Sequence, residues 1–271
     1  MWLHERHSKI LDRLSRDGKV TTNELAALLD VSSETIRRDF LGLEEQGNLR
    51  RVHGGAVLSD RKITPEPAFS DRLKTHAQAK MAIGRTAAAL IAPGSTVFVD
   101  AGTTTLAFAQ EILDRDDLRL ITNSIEIAQM VASRPNLEVL LLGGKPHAEV
   151  PATYGELTLS EVDRFLADFA VISPVAYHPV RGATNYALHE AEVARKMIVC
   201  SKSCIMLCHA EKISKESRVA ICRPEEIDCL VTDTNTDPQL SLPRGKVYFA
   251  PAHRDFGSGA ADLLEAARPE G

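Results

Sequence analysis

The stretch KVTTNELAALLDVSSETIRRDFLGLEEQGNLRRVHGGAVL, residues 19–58, decides the fold of the first part of this 271-residue chain. Ile36, Phe40 and Leu43 stand at i, i+4 and i+7, which predicts a helix with one apolar stripe turned to a core. Ser32 and Ser33 stand just ahead of that stripe, and either can cap the helix by accepting a backbone N–H. Arg37 and Arg38 fall off the stripe and project outward beside Thr35. An earlier helix over residues 22–30 is expected to pack Leu25, Leu28 and Leu29. Val31-Ser32-Ser33 then forms a tight turn that sets the second helix across the first. Gly47 is placed to end the second helix as a C′ glycine. Residues 49–52 read as a strand carrying Arg50 and Arg51, His53-Gly54-Gly55 as a hairpin turn, and residues 56–58 as the return strand.

A helix-turn-helix with a basic two-stranded wing points to sequence-specific binding of double-stranded DNA. A helix in the major groove needs outward donors for base edges and flanking cations for phosphates. The candidate contacts are Thr22, Ser32, Ser33, Thr35, Arg37 and Arg38 on the helices, with Arg50, Arg51, His53 and Gly54 on the wing. An Arg-Arg pair alone would read as a solvated helix face. The turn, cap, arginine pair and Gly-Gly wing together favour the nucleic-acid reading.

Composition supports an ordinary globular protein, with 44% hydrophobic and 25% charged residues. No apolar run reaches transmembrane length, and the start of the chain lacks the apolar segment of a secretion signal, so a cytoplasmic protein without membrane contact is expected. The net charge of −5 argues weakly against a nucleic-acid partner. Its distribution matters more: residues 1–62 hold 11 basic and 10 acidic side chains, leaving 21 and 27 for the rest. Five cysteines, Cys200, Cys204, Cys208, Cys222 and Cys229, occur without C-x-x-C spacing and read as reduced structural thiols. The four-residue recurrence of the first three would make a metal-like stripe on one helix. Ser201-Lys202-Ser203 reads as a break and the run from Cys204 as a strand, so no metal or cofactor is expected.

The expected domains are a winged helix-turn-helix over residues 1–58, a linker over 59–74 in which Pro65 and Pro67 break regular structure, an effector-binding and oligomerisation domain over 75–252, and a tail over 253–271. A first helix over residues 3–17 should bury Leu3, Ile10, Leu11 and Leu14, with Gly18 ending it. A long helix should cover residues 75–91. Beyond it, short apolar strands at 96–100, 118–122, 137–142, 169–172, 204–208, 229–231 and 247–250 alternate with helical stretches at 105–113, 125–133, 156–166 and 188–199. That alternation predicts an α/β domain, Rossmann-like, with a largely parallel sheet covered on both faces. In such sheets the ligand lies beyond the C-terminal strand ends.

Residues with anion-binding character sit at those ends. Asp100, Gly102, Thr103, Thr104 and Thr105 close one strand and open a helix, where hydroxyls and free N–H groups can hold a phosphate. Thr122, Asn123 and Ser124, then Gly143 and Gly144, then Gly155, supply further loops. A tight strand-to-helix turn with a threonine cap is the plainer reading of the first loop. The convergence of several loops favours a phosphorylated small molecule.

Val31 to Phe40, Leu43 to Gly47 and Arg51 to Ala56 closely resemble the DeoR family of bacterial transcriptional regulators, and the D-x-G-T-T-T, T-N-S and G-G segments match that family's sensor domain. The resemblance implies an N-terminal winged helix, a C-terminal domain similar in fold to ribose-5-phosphate isomerase, and a response to phosphorylated sugars. Two segments depart from the pattern. Ser173-Pro174-Val175-Ala176 stands where the family has G-A-D-G, and Leu207-Cys208-His209-Ala210-Glu211-Lys212 where it has L-A-D-x-S-K. Val175 and His209 thus replace acidic residues, while Lys212 is retained; His209 and Lys212 join the candidate effector contacts. Residues 181–186 and 190–195 are closer to glycerol-3-phosphate-responsive members.

The leading expectation is therefore a ligand-responsive regulator, a repressor, acting as a homo-oligomer (dimer or tetramer) on operator DNA, with no catalytic residue. Another class of function is a sugar-phosphate isomerase-like enzyme with an accessory helix-turn-helix domain, built on Asp100 and Lys212. The missing carboxylates weigh against it. A third is an oligomeric scaffold without a small ligand.

Overall fold

A computed structural model of the protein describes residues 3–45, 49–58, 66–134 and 136–251. The chain divides into two compact units, Met1–Lys62 and Ile63–Gly271. The positions expected for a helix end at Gly47, for the break at Pro65 and for the tail at 253–271 lie outside the described residues.

The first unit holds helices α1 (Leu3–Asp17), α2 (Thr22–Leu29) and α3 (Ser33–Glu45). Strands β1 (Lys19–Thr21), β2 (Leu49–Val52) and β3 (Gly55–Leu58) form an antiparallel sheet in the order β1-β3-β2. Ile10, Leu14, Leu25, Ile36, Phe40, Leu43 and Leu49 make its core. Thr21 and Glu24 form a capping box at the start of α2, each bonding the other's backbone N–H. Strand β1, absent from the sequence expectation, pairs Lys19–Thr21 with residues 55–57. It explains Gly55, where a Cβ would lie 2.1 Å from the Val20 carbonyl oxygen. Two leucines expected in the core are exposed, Leu3 at 58% and Leu28 at 62%. The buried side of α2 follows the Leu25–Leu29 spacing, and Leu28 falls off it; Leu3 lies in the first turn of α1, short of the core.

The second unit opens with α4 (Phe69–Lys74) and α5 (Ala77–Ala89), then β4 (Thr96–Val99), α6 (Thr103–Glu111), β5 (Arg119–Thr122), α7 (Ile125–Ala132) and β6 (Glu138–Leu141). The short strands β7 (Lys145–Pro146) and β8 (Thr153–Tyr154) pair, and α8 (Glu156–Val162) and β9 (Ala167–Ile172) follow. Then come β10 (Ala176–His178), β11 (Gly182–Asn185), α9 (Leu188–Val199), β12 (Ser201–Leu207), β13 (Val219–Cys222), β14 (Cys229–Asp233) and β15 (Lys246–Ala250). Seven strands form one parallel sheet in the order β15-β14-β12-β9-β4-β5-β6. The order reverses between β4 and β9, a topological switch point.

Alternate residues of each strand feed two cores. Val97, Val99, Leu120, Val171, Ile205 and Leu207 pack with α5, α6 and α7. Phe98, Ile121, Ile172, Cys204 and Met206 pack with α8 and α9. Three corrections apply. Residues 59–74 were expected to be linker, but α4 lies within them and buries Phe69 with Val150 and Ala152. Ser201-Lys202-Ser203, read as a break, begins β12, because parallel pairing to β9 overrides local preference. The antiparallel sheet β10-β11-β13 was not anticipated.

Cys200 ends α9 and Cys204 lies in β12, so the cysteine recurrence does not lie on one helix. Residues four apart on a strand are separated by about 13 Å, too far for Cys204 and Cys208 to share an ion. Burial pushes the Cys208 and Cys222 thiols up to about 12. No helix among the described residues is long and apolar enough to cross a membrane.

Candidate nucleic-acid interface and effector site

Helix α3 is fixed from its buried side. Ser32 is its N-cap: its hydroxyl accepts the Thr35 N–H at 3.1 Å, and its carbonyl accepts the Ile36 N–H. Asp39, buried on the inner face, takes a bidentate bond from Arg6 (2.5 and 2.9 Å) and faces His7 Nε2 at 3.3 Å. That pair ties α3 to α1, and the carboxylate holds the Arg6 guanidinium above its ordinary range. Sequence reasoning missed this role, although Asp39 directly follows the arginine pair.

The outer face presents what reading the sequence suggested. Arg37 and Arg38 are 66% and 81% exposed, and both lie near Glu34, at 3.3 and 4.0 Å. The Ser33 hydroxyl donates to Asn23 Oδ1 at 3.3 Å. On the wing, Arg50, Arg51, His53 and Gly54 are exposed. Arg51 is oriented by Glu44, which accepts both its backbone N–H (2.8 Å) and its Nε (2.6 Å). Those bonds hold the Glu44 carboxyl below the usual range. A concavity lies between α3 and the wing, lined by Asn23, Arg37, Arg51, His53 and Gly54. Thr22 is only 5% exposed, and its N–H donates to the Gly54 carbonyl, so it anchors the wing.

In the second unit the loops after β4, β9 and β12 meet at the switch point. Asp100 is buried; its Oδ1 accepts the Ala101 N–H at 2.8 Å. Burial, with Glu190 and Glu66 nearby, pushes its carboxyl up to about 8. Asn123 bridges two loops, accepting the Ala101 N–H at 3.0 Å and donating to the Thr153 carbonyl at 3.2 Å. Lys212 donates to the Pro174 carbonyl (2.5 Å) and Ser173 Oγ (3.5 Å), and its surroundings lower its pKa through burial. Lys80 of α5 is buried, donates to the Arg72 carbonyl, and is lowered by burial to about 8. His209 is buried and stacked on His76 with ring centres 4.7 Å apart. Burial and Lys212 hold it at about 3, a neutral ring whose Nδ1 has no partner. Nothing in the sequence around Lys80 or His76 signals a site; topology alone brings them here.

Other predicted residues are spent on the scaffold. Thr105 Oγ1 donates to the Gly102 carbonyl, Thr122 Oγ1 to the Val99 carbonyl, and Ser124 caps α7. Gly143 donates its N–H to Glu161 at 2.5 Å, Gly155 precedes α8, and Gly144, at φ +140°, approaches Thr158 Oγ1 so closely that a Cβ would lie 2.1 Å from it. These three glycines hold α8 and do not line the cleft beside Asp100. Thr103 and Thr104 are buried in the first turn of α6, and Thr104 Oγ1 has no partner.

The cleft is lined by Asp100, Asn123, His147, Tyr154, His189 and Glu190. Burial pushes Glu190 up to about 7. His147, His189 and Glu190 each bring a donor atom within 4.8 Å of the others, as metal ligands could. His147 Nδ1, however, already accepts the N–H groups of Glu149 and Val150, both at 3.0 Å. A neutral ring so bonded carries its proton on Nε2 and offers no lone pair to a metal.

The chain matches the DeoR-like helix-turn-helix domain over residues 6–62 and the DeoR C terminal sensor domain over residues 75–234. The HTH-type transcriptional repressor GlcR of Bacillus subtilis is 37% identical over 235 residues, 86% of this chain and 89% of that protein. The glycerol-3-phosphate regulon repressor of Escherichia coli is 30% identical over 230 residues, 84% of this chain and 90% of that protein. Among solved structures, ribose 5-phosphate isomerase A of Methanocaldococcus jannaschii aligns at 14% identity and a TM-score of 0.35, over 49% of this chain and 53% of that one.

Proposed function

Because the chain belongs to the DeoR family of transcriptional regulators, we propose that it represses a sugar or polyol catabolic operon and is released from its operator by a phosphorylated metabolite. The observation that carries this reading is the outer face of α3, where Arg37 and Arg38 stand free of the core beside the exposed wing arginines. Arg37 and Arg38 contact base edges or phosphates, Ser33 and Thr35 assist at the helix start, and Arg50, Arg51 and His53 hold the backbone. The isomerase reading loses its ground, since the family and its similar members are regulators.

In an effector-binding domain over residues 75–252, within the second unit, the effector's phosphate lies at the switch point between the first turn of α6 and Lys212. Asp100, Asn123 and Glu190 face its remaining groups. Binding there shifts the population between two DNA-binding states, which requires that the ligand prefer one of them. A homodimer or tetramer supplies two winged helices to two half-sites. Glycerol 3-phosphate is a candidate effector through the similar repressor from Escherichia coli. A thermal-shift screen of the full chain with phosphorylated sugars and polyols tests this, because a ligand of the native state raises its apparent stability. A blank screen, with DNA binding intact, would leave a regulator without this effector class.

A further inference from the structure

The cleft beside Asp100 is narrow. It leaves about 10 Å³ for solvent, room for about one water, whereas small-molecule pockets run to about 300–1,000 Å³. Three of its wall residues, Ala101, Val150 and Ala152, also make the seat of a side chain that is not part of the wall, Phe69. Phe69 is the one buried residue of the six-residue helix α4; the others are exposed, apart from half-buried Arg72. The bonds of Arg72 fold the segment mostly on itself. It pairs with Glu66, donates to the Pro67 carbonyl at 3.0 Å and lies over the Phe69 ring at 5.5 Å. Lys80 of α5 donates to its carbonyl. At the junction with α5 the chain turns through His76, whose φ of +54° is a left-handed conformation that a residue other than glycine adopts at a cost. Residues 66–74 are thus a short segment seated by one side chain, with a tight bend behind it. Segments with so few buried contacts open most readily. Residues 59–65 join this segment to β3 of the wing.

We infer that residues 66–74 are a strap over the effector cleft, latched by Phe69, which is closed when the protein holds its operator and lifted when the effector is bound. This rests on the proposal above that the cleft takes a phosphorylated metabolite. A sugar phosphate does not fit the space of one water, so it needs the seat that Phe69 fills. Withdrawing Phe69 joins that seat to the polar wall of Asp100, Asn123 and Glu190. It also releases the segment from which the chain runs back to the wing. Coupling of this kind is reciprocal: if lifting the strap weakens operator binding, the operator favours the closed strap.

That reciprocity makes the strap readable without the effector. Val150→Cys puts a thiol and a smaller side chain beneath Phe69, and its rate of reaction with a maleimide reports how often the strap opens. The unaltered protein gives the background of its five cysteines. A duplex selected from random DNA by the full-length protein should slow the reaction about fivefold or more, and a scrambled duplex should not. Ser70→Cys, on the exposed side of α4, should react at one rate with and without that duplex. Phe69 packs apart from the two cores that flank the parallel sheet. Phe69→Ala added to Val150→Cys should therefore fold, as its melting curve would show, and react about tenfold or more faster. A Val150→Cys rate that is indifferent to bound operator, or raised by it, overturns the strap. Equal slowing at residues 70 and 150 means that the duplex merely shields this face, and overturns it too. An unchanged rate in folded Phe69→Ala protein removes the latch. Failure of the full-length protein to select any sequence overturns the DNA-binding reading itself, and this inference with it.

Discussion

Replacing Lys212 by methionine separates holding an anion from holding a loop. Methionine keeps an unbranched apolar stem and removes the ammonium. Without ligand, two effects oppose each other. The variant loses the bonds to the Pro174 carbonyl at 2.5 Å and to Ser173 Oγ at 3.5 Å, the second at the limit of hydrogen bonding. One good bond from a charged donor contributes about 1.5–3 kcal/mol. Against that loss, burial depresses the ammonium's pKa, so the charge is costly to keep where it is. The net change in unfolding free energy is expected to stay within about 2 kcal/mol of zero. With a phosphorylated ligand the effects no longer cancel, because the ammonium's second partner is the phosphate. Losing that contact costs about 1.5–3 kcal/mol, a factor of roughly 10 to 150 in affinity. Calorimetric titration with the best ligand from the screen, alongside denaturation of both proteins, measures the two quantities separately. Unaltered ligand affinity in a folded Lys212→Met protein would refute the anion-holding role and leave Lys212 as a loop tie.

Arg38→Ala should weaken operator binding by about 1–3 kcal/mol while the melting curve is unchanged, and a lower salt slope would mark a phosphate contact; gel-shift titration at several salt concentrations reads both, and wild-type values for Arg38→Ala and Arg37→Ala alike would remove α3 from the interface. Gly55→Ala drives a Cβ to 2.1 Å from the Val20 carbonyl oxygen, so the β1–β3 pairing must part, with a loss of about 1–3 kcal/mol visible as an earlier melting transition; an unshifted transition would contradict the β1 register. Asp100 has a folded pKa of about 8 against an ordinary 3.8, so between those values the native state keeps a proton that the unfolded chain has released, and stability falls as pH rises. The slope is at most about 1.4 kcal/mol per pH unit, and Asp100→Asn should gain on the unaltered protein from about pH 5 to about pH 8 in denaturant titrations; a constant difference would show that Asp100 ionises normally.

The winged helix was legible because its determinants are local. Ile36, Phe40 and Leu43 share one stripe, and all three are buried as their spacing requires. The Ser32 cap and the tight turn at His53-Gly54 are equally short-range. Strand β1 was not legible, since three residues carry no periodicity and its partner lies more than thirty residues on. The parallel sheet could be read from alternating apolar runs, but β10, β11 and β13 could not. β10 and β11 form a short local hairpin, and β13 joins it across α9 and β12, a tertiary choice. Of the loops singled out as a candidate effector site, those at Asp100 and Asn123 line the cleft, and the glycine loops at 143–144 and 155 do not. The loop sequences did not reveal that Thr105, Thr122 and Ser124 bond to backbone, or that Lys80, His76, His147 and His189 arrive from elements without a motif.

A DNA-binding surface on α3 and the wing that answers to a ligand in the second unit can be read by selecting DNA from random duplexes with the full-length protein, then titrating the selected sites with and without the ligand that stabilises it. The expected result is one enriched sequence arranged as related half-sites, affinity that falls steeply with salt, and weaker binding once ligand is added. Equal affinity for selected and random duplexes, or operator affinity indifferent to a ligand that stabilises the protein, would contradict it.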